Sequence, residues 1–320
     1  MSLAATAALA LSVLPLLALA VSHPRAAHSV LWFWLGFLYL LRHQRVGHLR
    51  EPQRFTEWVQ WRKLQPVDPR QPSLIDKLAV KPWVAARIGT DWVIPTLWSG
   101  ERPDPAPPAG PPLMIMKSRH GCNQWRVIGS VADWTAARRA SRRWLAHAYG
   151  FWLGERAYAD VPRGVIVEPF IGADGALPVD YKFYVFAGEV AAVQVHVGRG
   201  TARHRWQLLD PLSWCPLASS DRGGPGLPPP PDLAAMTAAA AVLGRDFDFV
   251  RVDLYDTAAG PRFGEMSFFP GSGLDRFVDE RIDADFGARW AAARSLNVAR
   301  ASTPRAPRSS GWRGCRRAAP

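Results

Sequence analysis

In the run Val250-Arg251-Val252-Asp253-Leu254-Tyr255 apolar and polar side chains alternate, so a strand here puts Arg251, Asp253 and Tyr255 on one face. A second alternating run, Arg262–Phe269, follows a short turn. With that turn centred on Ala259, Asp253 lies opposite Glu265 and Arg251 opposite Ser267, and Phe263, Glu265 and Ser267 are expected to share a face. Two carboxylates on one sheet face repel unless a cation separates them. A hard divalent ion such as Mg²⁺, bridging phosphates, answers that need. A surface network of Arg251, Asp253 and Glu265 answers it equally well. Phe269-Pro270-Gly271-Ser272-Gly273 follows directly, a rigid turn with glycines that let backbone N–H groups approach an anion.

The chain uses 39 basic residues but only five lysines: Lys63, Lys77, Lys81, Lys117 and Lys182. A compact ammonium is not equivalent to a guanidinium at a tight phosphate site, which singles the five out. Lys117 ends an apolar run and precedes the polar loop Ser118–Trp125, suited either to cover phosphates or to reach solvent. Lys77 and Lys81 are four apart and so share a helix face, functional or merely solvated. Glu168, directly after Val165-Ile166-Val167, either binds an adenine amine or ribose hydroxyl, or ends a strand. Asp180 and Lys182 share a strand face and form at least a local pair. The basic run His196–Arg205 offers guanidinium groups to a substrate carboxylate, or is an exposed loop.

The elements that hold these residues read as mixed α and β with antiparallel hairpins, an α+β architecture. Ser73 and Asp76 resemble a capping box opening a helix that ends at Gly89, with Pro82 interrupting it or starting its second part. Residues 101–112 are a Pro-rich connector. Leu113–Lys117 reads as a strand, Trp134–Tyr149 as an Arg-rich helix, and Val165–Phe170 as a short buried strand. Asp180–Phe186 and Val190–Val197 form a hairpin around Ala187-Gly188-Glu189. Asp232 caps an alanine-rich helix stopping at Gly244.

The formal net charge of +12 sits at the ends: +7 on residues 291–320 and +4 on 1–62, leaving +1 on the rest. A neutral body excludes a basic domain wrapped by nucleic acid. Three widely spaced cysteines, Cys122, Cys215 and Cys315, exclude a disulfide framework and a cysteine-based zinc site. Residues 1–24 hold no charged side chain, and Leu3–Ser22 is long enough to span a bilayer. It reads as an anchor, a signal peptide or a mis-assigned start. Val30–Leu41 is too short to span and reads as a buried or interfacial helix. Residues 291–320, without apolar periodicity, read as a basic disordered tail.

The ordered series Asp76-Lys77-Leu78-Ala79-Val80-Lys81, Met116-Lys117, Val167-Glu168-Pro169-Phe170-Ile171, Arg251-Val252-Asp253 and Glu265-Met266-Ser267-Phe268-Phe269-Pro270-Gly271 resembles the motif set of the ATP-grasp superfamily. It is most similar to the TupA-like, teichuronopeptide-biosynthesis branch, from about Phe55 to Trp290. The resemblance implies an ATP-grasp fold, two α+β subdomains gripping ATP. It divides the chain into a hydrophobic segment at 1–45, a leading region at 46–112, a catalytic region at 113–290 and the tail. Lys77, Lys81 and Lys117 would contact phosphates under a loop containing His120 and Gly121. Glu168, Pro169 and Phe170 would form the adenine hinge, and Asp180 would add to the cofactor site. Arg251 and Lys182 would be catalytic, and Asp253, Glu265 and Ser267 would carry Mg²⁺, Ser267 standing where many relatives have Asn. Arg199, His204, Arg205, Gly271 and Ser272 would bind substrate.

The implied activity is an ATP- and Mg²⁺-dependent carboxylate–amine ligase working through an acyl-phosphate in bacterial cell-surface polysaccharide biosynthesis. Its partners would be a carboxylate, an amine and an acidic glycan, in the cytoplasm or on the inner face of the membrane. The alternatives are a glycosyltransferase with a metal-binding Asp-x-Asp motif and a nucleotide-binding scaffold without turnover.

Overall fold

A computed structural model of the chain describes residues 24–173, 176–219 and 223–302; the segment 1–22 and the end of the tail lie outside them. Helix α1, Pro24–His43, buries Trp34, Leu35, Leu38 and Tyr39. The same helix contains the whole of the second apolar run. Among the described residues no helix is long and apolar enough to cross a membrane. Helix α2, Phe55–Leu64, inserts Phe55 edge-on against Phe249 and Phe286, and Trp58 stacks on Trp290 at 5.8 Å.

Where one helix was expected over 73–88 there are two, α3 at Gln71–Ile75 and α4 at Val80–Ile88. Ser73 opens no capping box; its hydroxyl donates to the Arg70 carbonyl. Asp76 ends α3 instead, accepting from Leu78 N at 2.9 Å and pairing with Arg119. Pro82 falls in the first turn of α4, where its missing N–H has no intrahelical partner to lose.

Strands β1 (Trp98–Gly100), β2 (Met114–Ser118), β3 (Trp125–Ile128) and β4 (Val165–Pro169) form an antiparallel sheet in the order β1-β4-β2-β3. The connector at 101–112 thus joins two strands of one sheet. Helix α5, Val131–Ala146, begins where the Ser130 hydroxyl accepts from Asp133 N. It packs Trp134, Ala137 and Trp144 onto Met114, Met116, Val165 and Val167.

Strands β5 (Asp180–Phe186), β6 (Glu189–Val197), β7 (Arg205–Leu209) and β8 (Pro216–Ser219) lead through helix α6 (Leu233–Gly244) to β9 (Val250–Tyr255) and β10 (Arg262–Ser267). They form a second antiparallel sheet in the order β10-β9-β5-β6-β7-β8. Asp232 precedes α6 but makes no side-chain cap bond. Helix and sheet approach so closely at Gly244 that a Cβ there would lie 2.4 Å from Val185 Cγ1.

Helix α7, Glu280–Ser302, corrects the expectation of an unstructured tail from 291. Phe286, Trp290 and Ala293 are buried at helical spacing, and this packing carries the helix beyond the point where the sequence turns polar.

Candidate active site

Antiparallel pairing puts directly opposed residues on one face. Asp253 is paired with Glu265 on one side and Lys182 on the other, and Lys182 with Gln194. These four form a polar row across β10, β9, β5 and β6. The next row holds Ser267, Arg251 and Tyr184. The opposite face carries the buried row Met266, Val252, Phe183 and Val193. The Asp253–Glu265 and Arg251–Ser267 registers are as the sequence indicates, but Phe263 is not on the Glu265 face. It pairs with Leu254 and is buried, because a bulge at Gly264 inserts one residue. A Cβ at Gly264 would lie 2.9 Å from the Asp253 carbonyl oxygen.

Asp253 is 1% exposed, and its carboxylate is held by Arg251 Nε at 2.7 Å, Arg251 Nη2 at 2.8 Å and Lys182 Nζ. Lys182 also reaches Asp180 at 2.6 Å, and Arg199 pairs with Asp180. Glu265 is engaged more loosely, by Lys77 at 3.4 Å and Arg251 at 3.8 Å. Burial alone would raise its carboxyl, but Lys77, Lys182 and Arg251 hold it below its ordinary value. The Arg251 guanidinium is held well above its own, its carboxylate partners outweighing burial.

On the first sheet, Glu168 is buried between two lysines, Lys81 Nζ at 2.6 Å and Lys117 Nζ at 2.8 Å. Both outweigh burial and keep the carboxyl low. Lys81 also donates to the Ile94 carbonyl at 2.7 Å. Lys77 sits in the turn before α4 and donates to the Gly121 carbonyl at 2.9 Å. The two lysines therefore do not share a helix face, though both reach the site.

Lys77, Lys117, Gly121, Phe170, Tyr255 and Glu265 line a cleft together with the Ile115 side chain and Cys122. Its free volume is about 90 Å³, against roughly 300–1,000 Å³ for small-molecule pockets. Gly121, Cys122, Asn123 and Gln124 form one side of the cleft. Beyond the polar row lies a larger cavity of about 780 Å³, lined by Lys182, Arg251, Tyr184, His196, His204 and Gly271. His196 Nδ1 is 2.9 Å from His204 Nε2, while its own Nε2 is buried without a partner. Burial and the surrounding cations push His196 down to about 2, so it is neutral. Asp180 Oδ1 is a second buried orphan.

The other expected site residues are distributed unevenly. His120 is buried with Nε2 3.0 Å from the Trp144 carbonyl oxygen, and it does not line the cleft. Of the basic run, His196 and His204 face the large cavity, Arg199 the cleft, and Arg205 points to solvent from β7. Pro169 ends β4 opposite Met114. Gly271, Ser272 and Gly273 all adopt left-handed φ. Ser272, however, is turned inward, where its carbonyl and hydroxyl oxygens both accept from Lys63 Nζ at 2.7 Å.

Lys63, scarce by type but given no role from sequence, thus braces this turn from beneath. Asp76 is likewise unforeseen in its role: through Arg119 it fixes the turn that aims Lys77. The expectation that a glycosyltransferase's Asp-x-Asp motif is absent is corrected by two such runs, Asp246-Phe247-Asp248 and Asp283-Ala284-Asp285. Asp248 pairs with Arg62, and Asp283 accepts from Thr56, both away from the cleft. They therefore give no support to a glycosyltransferase site.

Among the described residues no group of three or more His, Cys, Asp and Glu is placed to hold a metal. Asp253 and Glu265 still fit Mg²⁺ by donor chemistry, since that ion takes one or two carboxylates and completes its shell with phosphate oxygens and water. Glu265 has the more open carboxylate, and Asp253 would first release Lys182 or one Arg251 bond.

The family model described as TupA-like ATPgrasp matches residues 57–291. No curated protein matches the chain. Among solved structures, the D-cycloserine synthetase DcsG is similar at 17% identity over 71% of each chain, with a TM-score of 0.39. A D-alanine–D-alanine ligase from Bacillus anthracis shares 11% identity over 71% of this chain and 67% of its own, TM-score 0.41. An L-amino acid ligase from Bacillus licheniformis shares 11% over 80% of this chain but only 57% of its own, TM-score 0.45.

Proposed function

The chain belongs to the TupA-like ATP-grasp family, a family of ATP- and Mg²⁺-dependent ligases, and from that premise we propose that it joins a carboxylate to an amine through an acyl-phosphate. One observation carries the reading. Glu265 lines the lysine-lined cleft, Lys182 and Arg251 line the larger cavity, and the sheet register sets the buried Asp253 between Glu265 and Lys182. ATP in the cleft would place its phosphates on Lys77, Lys81 and Lys117, with the adenine against Phe170. Each lysine now spends its charge on Glu168 or Glu265, so incoming phosphate exchanges one anionic partner for another.

A carboxylate in the large cavity lies on the far side of Arg251. Its oxygen forms a bond to the γ-phosphorus, the bond to the β-bridging oxygen breaks, and ADP leaves. Arg251 and Lys182 neutralise the charge on the transferring group, and this is positioning and electrostatics rather than covalent help. Mg²⁺ on Asp253 and Glu265 would supply further neutralisation at the phosphates. The amine nitrogen then bonds to the acyl carbon, phosphate departs, and the amine loses its proton to solvent. Gly271, Arg199 and His204 are proposed substrate contacts, Ser267 a proposed water or metal contact, and Asp180 a support for Lys182.

The cationic wall suits an acidic substrate, which supports a role on a cell-surface glycan bearing carboxylates. ATP chemistry places the work on the cytoplasmic side. The test incubates the full chain with Mg²⁺, ATP and hydroxylamine against a panel of uronic acids and amino acids. ADP and hydroxamate formed together with at least one carboxylate is the expected result. ATP binding with no hydroxamate from any carboxylate contradicts the proposal.

A further inference from the structure

Helix α1 carries no charged side chain between His28 and Arg42. Its inward side is spent on the core, yet its outward side is also apolar. Phe33, Phe37, Leu40 and Leu41 recur at i, i+4, i+7 and i+8, and so form one stripe. Phe33 is 69% exposed. A helix lying on a water-facing surface turns charged residues outward; this one does not. Beside it the turn Phe151–Leu153 exposes Phe151 and Trp152 by more than half. The two are joined: Trp34 Nε1 donates to the Trp152 carbonyl at 2.7 Å, and the Trp34 ring meets Phe37 at 6.0 Å. Exposed aromatic side chains thus stand on two adjoining elements, Phe33 on α1 and Phe151 and Trp152 on the turn beside it, a concentration of a kind that marks a binding surface.

We propose that this face is lipid-facing and seats the protein in the plane of an anionic membrane, α1 lying along the headgroup boundary rather than crossing it. Two observations favour a bilayer over a protein partner. Residues 1–24 hold no charged side chain and run directly into α1. Arg50, exposed, lies over the Trp32 ring at 5.5 Å, and Trp32 meets Phe33 edge-on at 5.1 Å. Aromatic rings with an arginine at their edge match the headgroup region, where the rings enter the acyl boundary and the guanidinium meets phosphate. The inference is independent of the ligase reading.

The test floats the full chain with phosphatidylcholine–phosphatidylglycerol vesicles. Beside it run Phe33→Glu/Leu40→Glu, Trp152→Glu, and Leu212→Glu as an exposed apolar control elsewhere. Both face variants should lose at least about tenfold in vesicle partition, with the control unchanged and near-ultraviolet circular dichroism kept. A nitroxide at Leu40→Cys in a Cys122→Ser, Cys215→Ser, Cys315→Ser background should become oxygen-accessible and shielded from a nickel chelate on vesicle addition. Wild type that does not float, face variants that float as wild type does, or a label that stays chelate-accessible each overturn the proposal. So does a vesicle-free dimer that the face variants dissociate, since a second copy would then be the occupant.

Discussion

Replacing Glu168 with Gln removes one negative charge from a site where two lysines share it. Lys81 and Lys117 keep their positions within 2.6 and 2.8 Å of the side chain, but both ammonium groups become unpaired in a largely buried setting. Removing one partner of a buried ion pair costs about 3–5 kcal/mol. An independent bound agrees, since a lysine that sheds its proton at pH 7 to escape the penalty pays about 4.6 kcal/mol, from a reference value near 10.4. Urea unfolding of the full chain should therefore show Glu168→Gln less stable by about 3–5 kcal/mol.

The pH dependence follows from the depressed carboxyl of Glu168. Its contribution is complete above the ordinary value of 4.5 and is lost as pH falls through the lower folded value, so the two proteins converge in acid. Mg·ATP, bringing its own negative charge to the lysines, should stabilise the variant more than wild type. A variant within about 0.5 kcal/mol of wild type, or an equal ATP shift in both, refutes the idea that these lysines are held ready for an exchange of anions.

Gly264→Val would press a Cβ against the Asp253 carbonyl oxygen at 2.9 Å. It should cost about 1–3 kcal/mol and weaken Mg²⁺-dependent ATP binding beyond that loss, and calorimetric binding equal to wild type would count against the bulge as the device that aims Glu265. Lys63→Met strips the Ser272 carbonyl and hydroxyl of their shared donor and should destabilise by about 1–3 kcal/mol in thermal unfolding; an unchanged melt would show the turn braced elsewhere. Burial pushes the Cys122 thiol up, whereas Cys215 is exposed, so iodoacetamide should modify Cys215 before Cys122, with Mg·ATP slowing Cys122 further. Mass spectrometry showing equal rates, or no protection, contradicts the placement of Cys122 at the cleft.

The juxtaposition of Asp253 and Glu265 was legible because a hairpin's register follows from its turn and its alternation. Asp253 opposite Glu265 needs only that arithmetic. Phe263 was misplaced because the same arithmetic ignores Gly264, and a glycine inside a strand is itself a signal of a bulge. Lys77 and Lys81 reach the site from different elements because α3 and α4 are short and Asp76 turns the chain between them. Spacing within one helix cannot reveal that.

The basic run at 196–205 was one block in sequence but is divided by the β6–β7 turn, which points His196 inward and Arg205 outward. Lys63 and Ser272 are 209 residues apart, and no local pattern announces their contact. The continuation of α7 rests on Trp290 and Ala293 finding the aromatic core, a tertiary gain that weak local periodicity hides. The order of the motifs, by contrast, was readable as a family resemblance, and the family match over residues 57–291 bears it out.

The most direct test of the central claim is calorimetric binding of ATP to the full chain, with and without Mg²⁺, beside Asp253→Ala/Glu265→Ala. Mg²⁺-dependent binding in the wild type, lost in a double variant that still melts cooperatively, is the predicted result. A folded wild type that does not bind Mg·ATP, or a double variant that binds it equally well, would contradict the assignment of this row of side chains to nucleotide chemistry.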